Sequence, residues 1–339
     1  MTTVVEARPL ASDPVPTPRQ LAITHLRADT VFRGIVRGSG ITVLIIMGLV
    51  GLFLTFRAMQ AITSAGFSFL TEQSWEPDAG RFGIAAVLVG TILIALVAVL
   101  IALPLAIGTS LYISEYAPAR IKRTLISAVD LMAAVPSVVY GLWGFFLLQN
   151  QVVPISRWIS THFGWVPFLS VDGVDQEDPL STITVYTSST FIAGIVVSFM
   201  IAPSICSVTR EVFSQAPLGE REGAYALGGT KWGMIRTVVL PYGKGGMIGG
   251  TMLGLGRALG ETIAVFLIIS PIFVIQPNIL QNGGSSVSSL IALRYGEATQ
   301  FGTSALMAAG LALFVLTLVI NFGASSIVAR SRSGASSDA

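Results

Sequence analysis

Long apolar runs dominate the chain, and charged residues gather in the short stretches between them. A helix needs about 20 mostly apolar residues to cross a bilayer. The runs therefore predict transmembrane helices over residues 40–61, 82–111, 125–148, 188–208, 247–270 and 304–328. Pro104 and Pro136 fall inside the second and third runs, where membrane helices tolerate proline if neighbouring groups satisfy the freed backbone atoms. The pattern predicts an all-α polytopic membrane protein with six transmembrane helices.

The composition agrees with this class. Of 339 residues, 53% are hydrophobic and 11% are charged, whereas soluble domains carry about 25% charged residues. A single cysteine, Cys206, excludes an internal disulfide and a multi-cysteine metal site. The two histidines, His25 and His162, have no metal-ligand cluster beside them. We expect no metal, no cofactor and no nucleic acid bound to this chain.

The placement of Lys and Arg predicts the orientation, because cytoplasmic loops carry an excess of both. Fifteen lie in the N-terminal tail, the 112–124 and 209–246 loops and the C-terminal tail. The opposite side has three, which are Arg81, Arg157 and Arg294. Its loops are acidic instead. Both termini are therefore expected in the cytoplasm.

The same reading divides the chain into a tail, a membrane domain and a second tail. Residues 1–38 are polar and proline-bearing, and the first apolar run starts too late for a cleavable signal peptide. We expect residues 1–20 to be disordered and residues 29–37 to suit a short interfacial helix. The transmembrane domain is expected over 39–330, including the 209–246 cytoplasmic loop. Residues 331–339 form a cytoplasmic tail.

The fifth run carries two charges at its centre, Arg257 and Glu261. An arginine at the middle of a membrane helix costs about 2.5–3.5 kcal/mol on insertion scales, so it normally faces a bundle interior or a water-filled path. In a continuous helix, Glu261 lies on the same face, about 6 Å along the axis. This arrangement indicates a path for an anion, with Thr262 beside it. The alternative is a structural ion pair that fixes helix packing.

Glycines also recur in this run at intervals of four residues, at Gly246, Gly250 and Gly254. Small residues at this spacing let membrane helices approach closely. We expect them to pack against a neighbouring helix or a partner subunit. A backbone opening for an anion is the alternative.

The 209–246 loop predicts two short helices. Acidic residues stand in the first turn of an amphipathic helix around Glu222, and Gly228 with Gly229 favours a left-handed helix end. A second helical stretch over 231–239 is expected to end before Pro241, because the residue before proline resists helical geometry. A projecting helical pair of this kind is typical of a docking site for another subunit.

This loop resembles the EAA loop of ABC importer permeases, which reads Glu-Ala-Ala, three residues, Gly, nine residues, Ile, one residue, Leu-Pro. The matching residues are Glu222, Ala224, Gly228, Leu240 and Pro241, while Gly223 replaces the middle Ala and Val238 replaces the Ile. The resemblance implies that the loop docks into a groove of a separate ATPase subunit and transmits its movement. The chain itself contains no Gly-x-x-x-x-Gly-Lys-Ser/Thr motif.

Further segments narrow the resemblance to the phosphate-uptake permeases of the ABC importers, of the PstC type rather than the sister PstA type. It covers about residues 25–330. The segments are Trp75-Glu76-Pro77, Gly90-Thr91, Ser114-Glu115-Tyr116-Ala117-Pro118, Val135-Pro136-Ser137-Val138-Val139-Tyr140-Gly141 and Gly256-Arg257-Ala258-Leu259-Gly260-Glu261-Thr262.

The resemblance implies a type I, MetI-like permease in a bacterial inner membrane. Its expected partners are a related PstA-like permease, two PstB-like ATP-binding subunits that hold ATP and Mg, and an external PstS-like phosphate-binding protein. Arg257, Glu261 and Thr262, with Ser137, are the candidate substrate path. We expect Glu261 to pair with Arg257 when the path is empty and to release it when phosphate arrives.

Other functions remain open at this point. A permease for another oxyanion, such as sulfate or molybdate, is the nearest alternative. A secondary anion transporter also uses an intramembrane arginine, but usually has more helices or an inverted repeat, and it has no need of the projecting loop. A membrane-embedded enzyme needs a nucleophile with a base, or metal ligands, and the sequence offers no such constellation.

Overall fold

The computed structural model describes residues 27–172 and 184–332. The described residues divide into two compact units, with the boundary between Val50 and Gly51. In the first unit the described residues are helical, and every side chain described between residues 30 and 50 is exposed. Residues 29–37, expected as a short interfacial helix, are the first part of a longer helix. The expectation of disorder over residues 1–20 falls outside the described ranges.

Helices make up nearly all of the regular structure. The first part of the chain contains α1 (Arg27–Ala65), α2 (Ser68–Thr71), a hairpin of β1 (Trp75–Glu76) and β2 (Arg81–Phe82), α3 (Ala85–Leu111), α4 (Ala119–Ala134), α5 (Ser137–Trp143) and α6 (Gln149–Phe163). The second part contains α7 (Thr190–Ser214), α8 (Leu218–Ala226), α9 (Lys231–Met234), α10 (Leu240–Leu259), α11 (Ile263–Ile268), α12 (Val287–Arg294) and α13 (Gln300–Arg332). Wider π-turns follow α3, α5 and α9, over Tyr112–Tyr116, Gly144–Leu148 and Ile235–Val239.

Five helical segments of the described ranges are long and apolar enough to cross a membrane. They are Thr30–Ala65, Ala85–Tyr116, Ser137–Phe163, Thr190–Ser214 and Gln300–Gly323. These correspond to the first, second, third, fourth and sixth predicted spans. The crossing of six helices and the placement of both termini stay predictions.

The predicted bounds of the third span are wrong. The expected helix over 125–148 is interrupted, because α4 ends at Ala134 and α5 begins at Ser137, with Val135 and Pro136 extended between them. Proline disfavours helical geometry in the residue before it, and here that preference prevails. The apolar helical segment begins after the break and continues to Phe163.

The fifth span is also interrupted. The expected continuous helix over 247–270 divides into α10, which starts earlier at Leu240, and the short α11, with Gly260–Thr262 between them. At this break side chains replace the helical bonds, because the Thr262 hydroxyl donates to the Gly260 carbonyl and Glu261 Oε1 accepts the Ala264 N–H. The helix ends where Gly260 follows Leu259.

The main core lies where α3 and α7 pack together with α10 and α11. Small residues allow this contact: a Cβ at Gly194 of α7 would overlap the side chain of Val97 on α3. Cys206 is buried in the same core, as expected of a small apolar residue.

The regularly spaced glycines of α10 face α7. A Cβ would lie 2.5 Å from Val212 at Gly246, 3.2 Å from the Ile205 carbonyl oxygen at Gly250, and 2.7 Å from the Ile205 side chain at Gly254. The prediction that they pack against a neighbouring helix is confirmed.

A second apolar cluster joins the end of α1, the β-hairpin, α12 and α13. The 271–303 segment folds back onto these helices, so that α12 packs against α3, α11 and α13. A Cβ at Gly90 of α3 would overlap the carbonyl oxygen of Ser285, just before α12. Thr91 accepts a hydrogen bond from the Val287 N–H at 3.0 Å and fixes the start of α12.

Candidate functional site

The candidate site lies at two interrupted helices that meet. Just after its break, α5 packs against α11, which itself follows the break at Gly260. A Cβ at Gly141 of α5 would lie 2.9 Å from the Ala264 Cα, so glycine allows the two backbones to touch. Non-helical backbone at membrane depth is tolerated where it is buried in protein or lines a water-filled cavity. Two breaks on contacting elements are therefore a natural place for a polar path.

Each break satisfies its own backbone groups. The Tyr140 hydroxyl donates to the Met132 carbonyl at 3.0 Å, near the end of α4, and Val139 N–H donates to the Pro136 carbonyl. At the second break, the Thr262 hydroxyl donates to the Gly260 carbonyl at 3.2 Å. These bonds stabilise both interruptions in place of the helical ladder.

Glu261 caps a helix and does not pair with Arg257. Its Oε1 accepts the Ala264 N–H at 3.1 Å at the start of α11, where a carboxylate also interacts favourably with the helix dipole. Among the described residues, ion pairs within 4.0 Å join Arg81 to Glu76 and Arg221 to Glu115. The expected same-face pair was wrong, because the helix ends between the two residues.

Arg257 has a hydroxyl as its neighbour. It is half-buried in the last turn of α10, and its Nη1 donates to Ser204 Oγ of α7 at 3.5 Å. It also lies within electrostatic range of the Tyr140 hydroxyl. A serine contact as long as 3.5 Å is weak, so the guanidinium is held loosely and keeps most of its donors for another acceptor.

The other predicted path residues lie at the same breaks. Ser137 is the first residue of α5 and is half-buried. Thr262 directly precedes α11 and is half-buried too. Ser137 and Thr262 therefore lie at the starts of two helices that contact each other, and Arg257 lies at the end of α10. Their role in a path stays a prediction.

The projecting loop has the predicted first helix. Glu222, Gly223 and Ala224 lie in α8, and Gly228 has a left-handed backbone with φ of +80°. Gly228 N–H donates to the Tyr225 carbonyl at 2.9 Å, and Gly229 N–H donates to the Ala224 carbonyl at 3.0 Å. These bonds close the helix as expected for a glycine end.

The second half of the loop departs from the prediction. The helix does not end before Pro241, because Leu240 and Pro241 begin α10 directly after the Ile235–Val239 π-turn. Leu240 N–H donates to the Ile235 carbonyl, five residues earlier. A proline at the beginning of a helix needs no N–H partner of its own, so the helical chain continues past it.

One face of the loop is packed and the other is open. Ala224 and Leu240 contact a small cluster of Phe213, Ala216, Met234, Ile235 and Val239. The outer face exposes large apolar side chains, which are Leu218, Tyr225, Leu227 and Trp232. Leu227 is 92% exposed. Exposed apolar patches rimmed by polar residues mark interaction sites.

Comparison with known proteins identifies the family. Residues 104–333 match the family model described as the binding-protein-dependent transport system inner membrane component. The chain belongs to this family. It is therefore a permease component of an ABC transporter and a multi-pass membrane protein.

The permease resembles relatives over nearly its whole length. It is 37% identical over 325 residues to the phosphate transport system permease protein PstC 2 of Mycobacterium tuberculosis, covering 94% of this chain and 98% of that protein. It is likewise 37% identical over 326 residues to PstC of Mesorhizobium japonicum, covering 94% and 95%. These relatives confirm the resemblance to the PstC type.

The permease also shares its fold with a solved transporter. A chain of the bacterial alginate ABC transporter, crystallised with an alginate pentasaccharide-bound periplasmic protein, aligns with a TM-score of 0.58. The alignment covers 89% of this chain and 95% of that chain at 18% identity. This similarity shows the fold alone.

Sequence reasoning missed Ser204 as the neighbour of Arg257. The signal was present, because Ser204 follows Pro203 inside an apolar run, where a polar residue requires a partner. Tyr140 and Glu115 appeared within recognised segments without a role. Arg221 was counted with the basic residues of the loop, although it lies between Glu220 and Glu222.

Proposed function

We propose that this permease is the transmembrane subunit of an ATP-driven inorganic phosphate importer. It forms half of the translocation path and couples through residues 220–241 to a separate ATPase subunit. Phosphate is the substrate named for relatives that match 94% of the chain. The local chemistry is consistent with that substrate.

The observation that carries the proposal is the environment of Arg257. A half-buried guanidinium stands at an interrupted membrane helix, with a weak serine contact and no carboxylate within ion-pair distance among the described residues. Inorganic phosphate carries one to two negative charges, and the planar donor fork of arginine matches its oxygens. An arginine of this kind offers an anion most of its donors.

Glu261 takes a structural role in this proposal. Its carboxylate binds the first turn of α11 and keeps the α10–α11 break open. The path residues are Arg257, Glu261 and Thr262, with Ser137 on the facing helix start. Because Glu261 is engaged by backbone, phosphate does not have to displace it from Arg257.

The remaining subunits complete the machine. We place a PstA-like permease beside this chain, two PstB-like ATP-binding subunits with ATP and Mg below it, and a PstS-like phosphate-binding protein outside. The complex lies in a bacterial inner membrane, with both termini of this chain in the cytoplasm. Glu222, Gly223, Ala224, Gly228, Leu240 and Pro241 form the coupling loop against the ATPase.

Phosphate uptake tests the proposal. It is measured in a strain that lacks its own phosphate importer and carries this chain with its partner subunits. Arg257→Ala should abolish phosphate uptake at normal membrane levels, and Arg257→Lys should recover part of it, because lysine keeps the charge and loses the fork. Arg81→Ala, on the outer hairpin, is the matched control and should transport normally. Unlabelled sulfate or molybdate that competes as well as phosphate would instead favour a permease for another oxyanion.

A further inference from the structure

A buried ion pair attaches the coupling loop to the membrane core. Arg221 lies on α8, next to Glu222, and its Nη1 is 3.0 Å from Oε1 and 3.1 Å from Oε2 of Glu115. The side chains are 16% and 5% exposed. Glu115 belongs to the π-turn that ends α3. The pair therefore joins the loop to α3.

The same arginine also holds α7. Its Nη2 donates to the Phe213 carbonyl at 2.6 Å. Phe213 lies in the last turn of α7, and its carbonyl also accepts the Ala216 N–H at 3.3 Å. One side chain on α8 thus binds the cytoplasmic ends of both α3 and α7, the two helices that form most of the core.

A second side chain of the loop contacts the same π-turn. Lys231 of α9 places its Nζ 4.4 Å from the centre of the Tyr116 ring, within cation–π range. Both halves of the loop therefore contact the Tyr112–Tyr116 turn, with Arg221 on Glu115 and Lys231 on Tyr116.

We propose that Arg221 is the positioning residue through which movement of the coupling loop reaches the substrate path; this rests on the proposed function. α7 runs from Phe213 back to Ser204, the residue that contacts Arg257. Nine residues of helix span about 13.5 Å and move as one rigid element. A displacement of α8 is carried by Arg221 to α7 and so to the neighbour of Arg257.

The bonding of the pair favours a role in transmission. Arg221 Nε and Glu115 Oε1 are both buried, and neither has a hydrogen-bond partner. The pair holds through one guanidinium nitrogen, whereas a bidentate arrangement uses two; here Nη2 is bound to the Phe213 carbonyl and Nε is unused. The unused Nε and Oε1 give the pair spare bonding capacity with which to keep its contact when α8 moves relative to α3.

The experiment measures phosphate imported per ATP hydrolysed. The complete transporter is reconstituted in proteoliposomes with its external phosphate-binding protein. Glu115→Gln and Arg221→Gln should each retain ATPase subunits and ATP hydrolysis, while the ratio falls roughly 2- to 30-fold, the range seen for residues that carry coupling. The double variant with Glu115→Arg and Arg221→Glu should recover a large part of the ratio.

The outer hairpin provides a matched control. Arg81 and Glu76 form an ion pair of the same 3.0 Å length, with side chains 74% and 57% exposed. Arg81→Gln and Glu76→Gln remove the same chemistry far from the loop, so they should leave the ratio unchanged.

Two results would overturn the role of Arg221. The first is an unchanged ratio in both single variants. The second is a loss of ATPase co-purification in which the complexes that do assemble keep the wild-type ratio, because the pair then serves assembly alone. A wild-type complex that imports sulfate or molybdate instead of phosphate refutes the proposed substrate. The ratio of that anion imported per ATP hydrolysed still tests the role of Arg221.

Discussion

Arg257 and Glu261 are four positions apart in the sequence, yet the structure gives them separate partners. Glu261 binds the start of α11, and Arg257 contacts Ser204 of α7. A guanidinium with a neutral neighbour keeps its full positive charge available to an anion. A close carboxylate would compete with that anion for the same donors.

Ser204 is expected to orient Arg257. Ser204→Ala removes one weak hydrogen bond, which contributes about 1 kcal/mol at most, so KM for phosphate uptake should rise by up to about fivefold. Maximal uptake should change less. Kinetics of radiolabelled phosphate uptake measure both.

Ser207→Ala is the control for that prediction. Ser207 lies one turn further along α7 and donates to Asp130 at 3.0 Å, away from Arg257. An equal rise in KM for both variants would mean that the effect comes from general loosening of α7.

Glu261→Gln tests the capping role. Glutamine keeps an oxygen that accepts the Ala264 N–H but loses the charge that favours the helix start, so stability should fall by about 0.3–1 kcal/mol. Glu261→Ala removes the acceptor as well and should cost more, up to about 2 kcal/mol. Thermal unfolding of the purified permease in detergent compares them. Equal stability of all three proteins would contradict the role.

At the scale of single residues, the sequence identified Arg257 as a candidate but did not identify Ser204 as its partner. Arg257 was evident because a charge in an apolar run is costly. Pairing it with Glu261 assumed an unbroken helix, and Gly260 with Thr262 ends that helix. Ser204 belongs to another helix, and no spacing rule within one run connects it to Arg257.

Interrupted helices and glycine contacts define the molecule at the scale of its elements. On α10, one face carries Gly246, Gly250 and Gly254 against α7, while Gly249 and Gly256 meet nothing within 4 Å. Glycine therefore has two uses on one helix. On the packed face it allows close contact within the chain, and on the open face it leaves space.

The two faces of α10 should respond differently to added volume. Gly254→Val places its Cβ about where Ile205 already lies, and overpacking of this kind costs about 1–3 kcal/mol. Gly249→Val meets no neighbour in the chain and should leave its stability nearly unchanged. Thermal unfolding of each purified variant is the measurement. A larger loss at Gly249 would show that the packing assigned to α10 is reversed.

The end of α8 requires glycine at one position. Gly228 has φ of +80°, where a Cβ costs about 1–2 kcal/mol. Gly228→Ala should therefore distort the coupling loop and lower phosphate uptake. Gly219→Ala, also inside α8 and with nothing within 4 Å of an added Cβ, is the control and should transport normally. Uptake at matched membrane levels decides, and equal loss in both variants would contradict the role of Gly228.

Element boundaries were predicted well where the apolar pattern alone decides them. The run at 304–328 lies within α13, and the run at 188–208 begins two residues before α7 and then stays inside it. The errors come from local backbone chemistry that a hydropathy pattern does not contain. Pro136 broke a predicted helix, whereas Pro241 did not, because a π-turn precedes it.

For the whole molecule, the proposed orientation places the β-hairpin outside and the coupling loop inside. Five apolar helical segments of the described ranges support a multi-pass protein. The number of crossings depends on how α10 and α11 share one passage. α10 has 20 residues but is not among the five apolar segments, and α11 has six.

Cysteine labelling tests the orientation. Cys206 is buried and should give little background. A membrane-impermeant maleimide added to intact spheroplasts should label Ala79→Cys on the outer hairpin. It should label Gly219→Cys on the coupling loop after permeabilisation alone. The opposite result would invert the topology.

The apex of the coupling loop has a consequence for how the cell makes this protein. Leu227 and Trp232 are exposed because nothing in the described chain covers them. In the proposed orientation, a copy synthesised in excess of its ATPase subunits would expose both side chains to cytosolic chaperones and proteases. These proteins act on exposed apolar surface. Degradation of unassembled copies would therefore keep the amount of this permease matched to the amount of its ATPase partner.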